Sequence, residues 1–290
     1  MDRKKIVAIL SAALAAGCSR PPHIVVGSKN FTEQLVLGEI LAQQIERRLG
    51  IPVERKLNLG GTLLAHEALV AGSIDLYPEY TGTALTAILK QPPSPDRAAV
   101  LAAVRAAYGR RWRLAWLAPL GFNDTFAMIV RGDAAHGARL RTLSDAAGNR
   151  AWRLGIGYEF RARPDGLDGL LKTYGLRTAG EPVTMDLGLL YAALGSGKVD
   201  MIAANSTDGL ISARDVAVLQ DDKSYFPPYE CAVVVREETL ARFPALRQAL
   251  EELSGKLTDE AMRKLNYAVD GEHRAASQVA GEFLRQGLHP

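Results

Sequence analysis

Cysteine is nearly missing. The 290 residues contain two, Cys18 and Cys231, so a fold stapled by several disulfides is excluded. Metal ligands are sparse too: the five histidines, at 23, 66, 136, 273 and 289, show no ligand spacing, which argues against a metal centre. No Gly-x-x-x-x-Gly-Lys-Ser/Thr run is present, so nothing here is built to hydrolyse ATP, and no cofactor motif stands in its place. Neither sign of charge dominates, with 35 Lys plus Arg against 32 Asp plus Glu, and no basic stripe marks a nucleic-acid surface. After the first seventeen residues no apolar run approaches the roughly 20 residues that cross a bilayer. These exclusions leave a globular chain, 48% hydrophobic, with length for one large or two medium domains.

The N-terminus differs from the rest. Arg3-Lys4-Lys5 precedes a short alanine-rich apolar segment, Ile6 to Gly17, the pattern of a secretory signal. Leu14-Ala15-Ala16-Gly17-Cys18 resembles a bacterial lipoprotein signal, in which small residues precede the cysteine that becomes lipidated. The usual leucine three places before the cysteine is here Ala15, with Leu14 one place further back. A signal peptide over 1–17 and a lipid anchor at Cys18 are therefore expected. Cys231 is then the lone thiol, in an apolar strand. Removing 1–17 lowers Lys plus Arg from 35 to 32 and Asp plus Glu from 32 to 31, a mature charge of about +1.

Downstream, strand and helix signals alternate, which predicts largely parallel sheets covered by helices. His23 to Val26 reads as a strand. A helix follows from Thr32, with Leu37, Ile40, Leu41 and Ile45 on one face and Gly50 and Pro52 as stops. The glycine turn Gly60-Gly61-Thr62 opens a helix to Val70, and Ile74-Asp75-Leu76 is the next strand. Asp96 caps a helix from Arg97 to Tyr108, Trp112 to Leu117 is extended, and Asn123 to Arg131 is a strand. The order then recurs. Glu67 to Gly82 and Tyr191 to Gly209 both read as helix, glycine break, Ile/Val-Asp strand and polar turn, one unit used twice. After the strand Tyr229 to Arg236 the chain is helical from Glu238. If that tail packs on the first lobe, the chain crosses between lobes twice, near 124–131 and 226–236, as in a hinged clamshell.

The stretch that organises the rest is Gly72 to Thr83. A strand runs into Tyr77-Pro78-Glu79-Tyr80, then Thr81-Gly82-Thr83 opens an apolar helical run, Ala84 to Leu89. Unpaired N–H groups at a helix start favour an anion, and a neighbouring aromatic ring favours a cation. Such a turn suits a zwitterion. An enzyme using Asp75, Glu79, Glu159 and Asp200 as cleft carboxylates is the competing class, but neither a nucleophile–base pair nor a metal set accompanies them. A sensory lobe fused to a receptor is a third class, disfavoured by the secretory leader.

Six motifs in order carry a resemblance: Gly27-Ser28-Lys29-Asn30-Phe31-Thr32-Glu33-Gln34, Leu59-Gly60-Gly61-Thr62, Glu79-Tyr80-Thr81-Gly82-Thr83, Arg163-Pro164-Asp165-Gly166, Thr207-Asp208-Gly209 and Phe226-Pro227-Pro228-Tyr229. With these the chain, over about residues 23–288, resembles the glycine betaine/carnitine/choline (osmoprotectant) substrate-binding proteins of ABC transporters. The resemblance implies a type II periplasmic-binding-protein fold: two α/β lobes joined by two crossover segments, with a ligand cleft between them. The lobes would be 18–125 plus 228–290 and 126–227. It implies a non-enzymatic, monomeric extracytoplasmic receptor that hands a quaternary ammonium zwitterion to a permease and its ATPase. Lys29, Thr83 and Arg163 fall on the family's carboxylate-binding positions. Tyr80 and Tyr229 fall on its aromatic box, Phe126 keeps a ring there without a hydroxyl, and Asn205 replaces an aromatic residue. The substitution implies weak glycine betaine binding, or a larger ligand such as carnitine or a betaine of histidine.

Overall fold

The computed structural model describes residues 23–286. The expected signal peptide and Cys18 lie outside the described residues. Ten strands form two five-stranded mixed sheets among those residues. The first holds β1 (Ile24–Gly27), β2 (Val53–Lys56), β3 (Leu76–Tyr80), β4 (Leu114–Asn123) and β10 (Glu230–Arg236), in the order β2-β1-β3-β10-β4. The second holds β5 (Phe126–Arg131), β6 (Leu154–Ile156), β7 (Val183–Thr184), β8 (Met201–Asn205) and β9 (Val216–Leu219), in the order β7-β6-β8-β5-β9. In each, four strands share one direction and one, β10 in the first sheet and β5 in the second, runs against them. The chain passes between sheets at Asp124-Thr125 and again between β9 and β10, giving two α/β lobes.

Both faces of each sheet are covered, and strand alternation sorts the side chains. Along β10, Cys231, Val233 and Val235 join one core while Ala232 and Val234 join the other. Along β5, Met128 and Val130 go one way, Ala127 and Ile129 the other. The period of two makes this division unavoidable once both faces are buried. The helix Thr32–Leu49 supplies Val36, Leu37, Ile40, Leu41 and Ile45 to the first core. The C-terminal helices pack there as well, through Leu246, Leu250, Met262, Ala280 and Leu284.

The repeated unit is visible in matched bonds. Asp75 N–H donates to the Val25 carbonyl, and the Asp75 carboxylate accepts from Val25 N–H at 2.8 Å. Asp200 repeats both bonds with Arg153. Each unit turns at a glycine of positive φ, Gly72 at 73° and Gly197 at 71°, a conformation that would strain any side chain there. Asp75 and Asp200 thus clip neighbouring strands at the ends away from the cleft, and neither lines the cavity described below. Neither is a cleft carboxylate, contrary to the expectation from the sequence.

Two local expectations change. The helix Arg97–Trp112 runs past Tyr108, with β4 starting at Leu114, because Trp112 packs edge-on against His66 and Tyr108. The run after Thr81–Thr83 is a wide π-helical turn, Ala84–Ile88, rather than an ordinary α-helix. Thr86 Oγ1 lies 2.9 Å from the Gly82 carbonyl and 2.8 Å from Asp165 Oδ2, so this turn is tied to the opposite lobe.

Candidate ligand-binding cleft

A cavity of about 550 Å³ lies between the lobes, and all seven predicted site residues, Lys29, Tyr80, Thr83, Phe126, Arg163, Asn205 and Tyr229, line it. The β-strands aim them there. Lys29 follows the C-terminal end of β1, Tyr80 ends β3 and Asn205 ends β8, while Phe126 begins β5 directly opposite Asn205 in register. The crevice lies beyond the C-terminal ends of parallel strands in both sheets, β1 and β3 of the first and β8 of the second.

Both expected cations are already partnered. Lys29 Nζ lies 2.6 Å from Glu79 Oε1 and 3.2 Å from Thr62 Oγ1, with both charged side chains buried. Arg163 grips Asp165 in a fork, Nε to Oδ1 at 2.9 Å and Nη2 to Oδ2 at 2.6 Å, and donates through Nη1 to Thr83 Oγ1 at 2.9 Å. Burial alone would lower the Arg163 pKa, but Asp165 and its surroundings raise it instead. Burial likewise pushes Asp165 up, and Arg163, Tyr229 and Thr86 overcome it and hold the carboxyl below its ordinary range. The Tyr229 hydroxyl donates to Asp165 Oδ2 at 2.5 Å. Arg163 with Asp165, from the second lobe, thus meets Thr83, Thr86 and Tyr229 of the first.

The aromatic wall is larger than predicted. Besides Tyr80, Phe126 and Tyr229, the cavity is lined by Phe31, Tyr158 and Tyr191. Phe31 stacks near Tyr80 at 6.3 Å between centroids, and Phe126 meets Tyr229 edge-on at 5.8 Å. Lys29 Nζ sits 4.8 Å from the Tyr80 ring centroid, and Arg163 Cζ 5.2 Å from that of Phe126. Ring and cation therefore lie side by side at both places, where the sequence suggested separate anionic and cationic ends. Phe31 was readable, since it lies inside the first motif; Tyr158 and Tyr191 carry no signal beyond their ring.

The helix start that receives an anion is also a different one. The nine-residue helix Thr62–Val70 presents Thr62 N–H and Oγ1 to the carboxylate of Glu159, which reaches over from the second lobe. Gly61 permits the approach, because a Cβ there would collide with Glu159 Oε1. Thr62 follows the glycine turn noted in the sequence; nothing local marked Glu159 as its partner.

A second cross-lobe cluster centres on Glu33. Its carboxylate accepts from Tyr80 hydroxyl at 2.6 Å, Thr207 hydroxyl at 2.5 Å and Asn266 Nδ2 at 3.1 Å. Burial pushes the Glu33 carboxyl up against the hydrogen bonds it accepts, and it pushes Asp124 well up and Asp208 up to about 7, with repulsion from Glu33 adding to the last two. Asn205 donates its N–H to Asp208 at 3.1 Å, while its side-chain amide makes no hydrogen bond within the described residues. No group of three or more His, Cys, Asp or Glu among the described residues has the arrangement of a metal site.

Comparison with known proteins agrees with this geometry. The family described as the substrate-binding domain of ABC-type glycine betaine transport systems matches residues 22–286. The ergothioneine transport permease/ergothioneine binding protein EgtU of Helicobacter pylori (strain G27) is 36% identical over 270 residues, covering 91% of this chain and 48% of that protein. The chain thus spans about half the length of that relative. The carnitine transport binding protein OpuCC of Listeria monocytogenes serotype 1/2a (strain 10403S) is 33% identical over 300 residues, covering 98% of this chain and 97% of that one. Among solved structures, that of a glycine betaine/carnitine/choline ABC transporter has a TM-score of 0.77 at 32% identity, covering 91% of this chain and 98% of that chain.

Proposed function

The chain belongs to the substrate-binding family of ABC-type glycine betaine transport systems, and from that premise we propose that its cleft holds a quaternary ammonium zwitterion larger than glycine betaine. The observation that carries this reading is one cavity lined both by aromatic rings and by the Arg163–Thr83 pair. A quaternary ammonium has no N–H to donate, so π faces and dispersion must hold it, and six rings are at hand. Its carboxylate needs donors, which Lys29, Thr83 and Arg163 supply. A volume of about 550 Å³ and the open amide of Asn205 favour a ligand with a polar extension beyond the betaine group. Carnitine and histidine-derived betaines, ergothioneine among them, fit that description.

In this reading the protein is an extracytoplasmic receptor anchored through Cys18. Its lobes are 18–125 plus 228–290 and 126–227, closing about the two crossings and delivering ligand to a permease with a separate ATPase. Thermal shift over a panel of glycine betaine, choline, carnitine, histidine betaine and ergothioneine tests the ligand, since a ligand of the folded state alone stabilises by RT ln(1 + [L]/Kd). The largest shift is expected from an extended zwitterion; tightest binding of glycine betaine would refute the size argument. Small-angle scattering should show a smaller radius with a confirmed binder, and an unchanged radius would count against closure.

A further inference from the structure

Glu159 carries a carboxylate across the cleft to a helix start. Its Oε1 accepts from Thr62 N–H and its Oε2 from Thr62 Oγ1 at 3.0 Å, and Arg163 Nη1 stands 4.0 Å from Oε2. Lys29 supports the same threonine, donating to Thr62 Oγ1 at 3.2 Å. An ammonium has three N–H groups and a guanidinium five. Lys29 spends two, on Thr62 and Glu79, and Arg163 spends four, on Asp165 twice, Thr83 and Thr86. Each cation keeps one donor, and that of Arg163 belongs to the nitrogen nearest Glu159. An arriving carboxylate would find few other donors in this part of the cavity, and the Glu159 carboxylate already holds the best-placed ones.

We propose that Glu159 is a specificity-determining residue: its carboxylate and that of the ligand are alternative occupants of the seat formed by Thr62, Lys29 and Arg163. The inference rests on the zwitterion reading of the cleft. When Glu159 holds the seat it bridges the two lobes, less tightly than a bound zwitterion does, so ligand-free wild type has a radius between those of solute-free Glu159→Ala and the liganded protein. When a zwitterion enters, its carboxylate takes the Thr62 N–H and the spare donors, and Glu159 turns outward, which its 41% exposed side chain permits. A cation without a carboxylate has nothing to exchange for Glu159 and gains from leaving that negative charge in place. Glu159 thereby sets the balance between zwitterions and simple cations.

Calorimetry on Glu159→Ala and Glu159→Gln, each with carnitine and with choline, tests this. The affinity ratio of carnitine to choline should rise at least about tenfold in Glu159→Ala, the value of roughly one charge-assisted hydrogen bond. Glu159→Gln, which keeps the shape without the charge, should shift it in the same direction. A ratio that stays level or falls overturns the proposal, because Glu159 would then assist the zwitterion or ignore it. Scattering without added solute gives an independent readout: Glu159→Ala should have the larger radius, and an equal radius overturns the clasp. If no quaternary ammonium binds either the wild type or the variants, the functional reading is what fails, and the scattering result still decides the role of Glu159 as a clasp.

Discussion

Asp75 and Asp200 make the same bonds in the two lobes, and counting from them exposes where the lobes part ways. Five residues on stand Tyr80 and Asn205; eight residues on stand Thr83 and Asp208. Counting from their strand partners, Val25 and Arg153, the fourth residue is Lys29 or Gly157 and the sixth is Phe31 or Glu159. All eight line the cavity. At the equivalent helix starts, Gly61 leaves room for an anion, whereas Asp186 brings a carboxylate that makes no capping bond. At these matched positions the first lobe presents two rings, a cation and a neutral hydroxyl, and the second an amide, a glycine and two carboxylates. Backbone bonds carry the shared fold, and four pairs of side chains carry the difference that a charged, two-ended solute can use.

The largest effect expected from this comparison separates the two Arg–Asp pairs. Arg163→Ala leaves Asp165 buried and unpaired and should destabilise the fold by about 3–5 kcal/mol. Arg153→Ala removes a half-exposed partner of Asp200, which keeps Arg150 nearby, and should change stability far less. Urea unfolding of both variants measures the gap, and equal midpoints would mean that burial does not distinguish them. Arg163→Ala should also weaken carboxylate-bearing ligands far more than choline.

Tyr80 and Asn205 come next. Tyr80→Ala removes a ring that is worth roughly 0.5–2 kcal/mol to a bound cation, and also one partner of buried Glu33. Quaternary ammonium binding should nearly vanish, while Asn205→Ala should change glycine betaine binding little. Similar losses in calorimetry would place the cation between the lobes instead of against the first.

The reverse exchange sharpens the contrast. Asn205→Tyr should tighten glycine betaine by about the value of one ring, ~0.5–2 kcal/mol, and weaken any extended ligand that uses the amide. If both solutes respond alike, Asn205 does not face the polar end.

The smallest effect concerns Thr83 and Asp208, since only the second titrates. Asp208 is held at about 7 against an ordinary value of 3.8, so the folded state binds more protons between those limits. Stability from this group is full below about pH 4 and is lost as the pH rises through 7, and Glu33 and Asp124 shift in the same direction. The melting temperature should therefore drop by a few degrees from pH 5 to pH 8, with a shallower drop in Asp208→Asn. A melting temperature that rises over this range would contradict the burial of the cluster.

The alternation of strand and helix, the repeated Asp-strand unit and the ordered motifs were legible along the chain, because period and turn chemistry are local properties. The resemblance carried by those motifs, rather than any local period, grouped Lys29, Tyr80, Thr83, Phe126, Arg163, Asn205 and Tyr229, and all seven line one cavity. Tertiary structure alone decided their partners. Glu79 takes Lys29, Asp165 takes Arg163, and Glu159 reaches Thr62 from 97 residues away. Whether a charge faces solvent, a ligand or a buried counter-charge depends on which chain segments meet across the cleft, and no periodicity within one segment encodes that meeting.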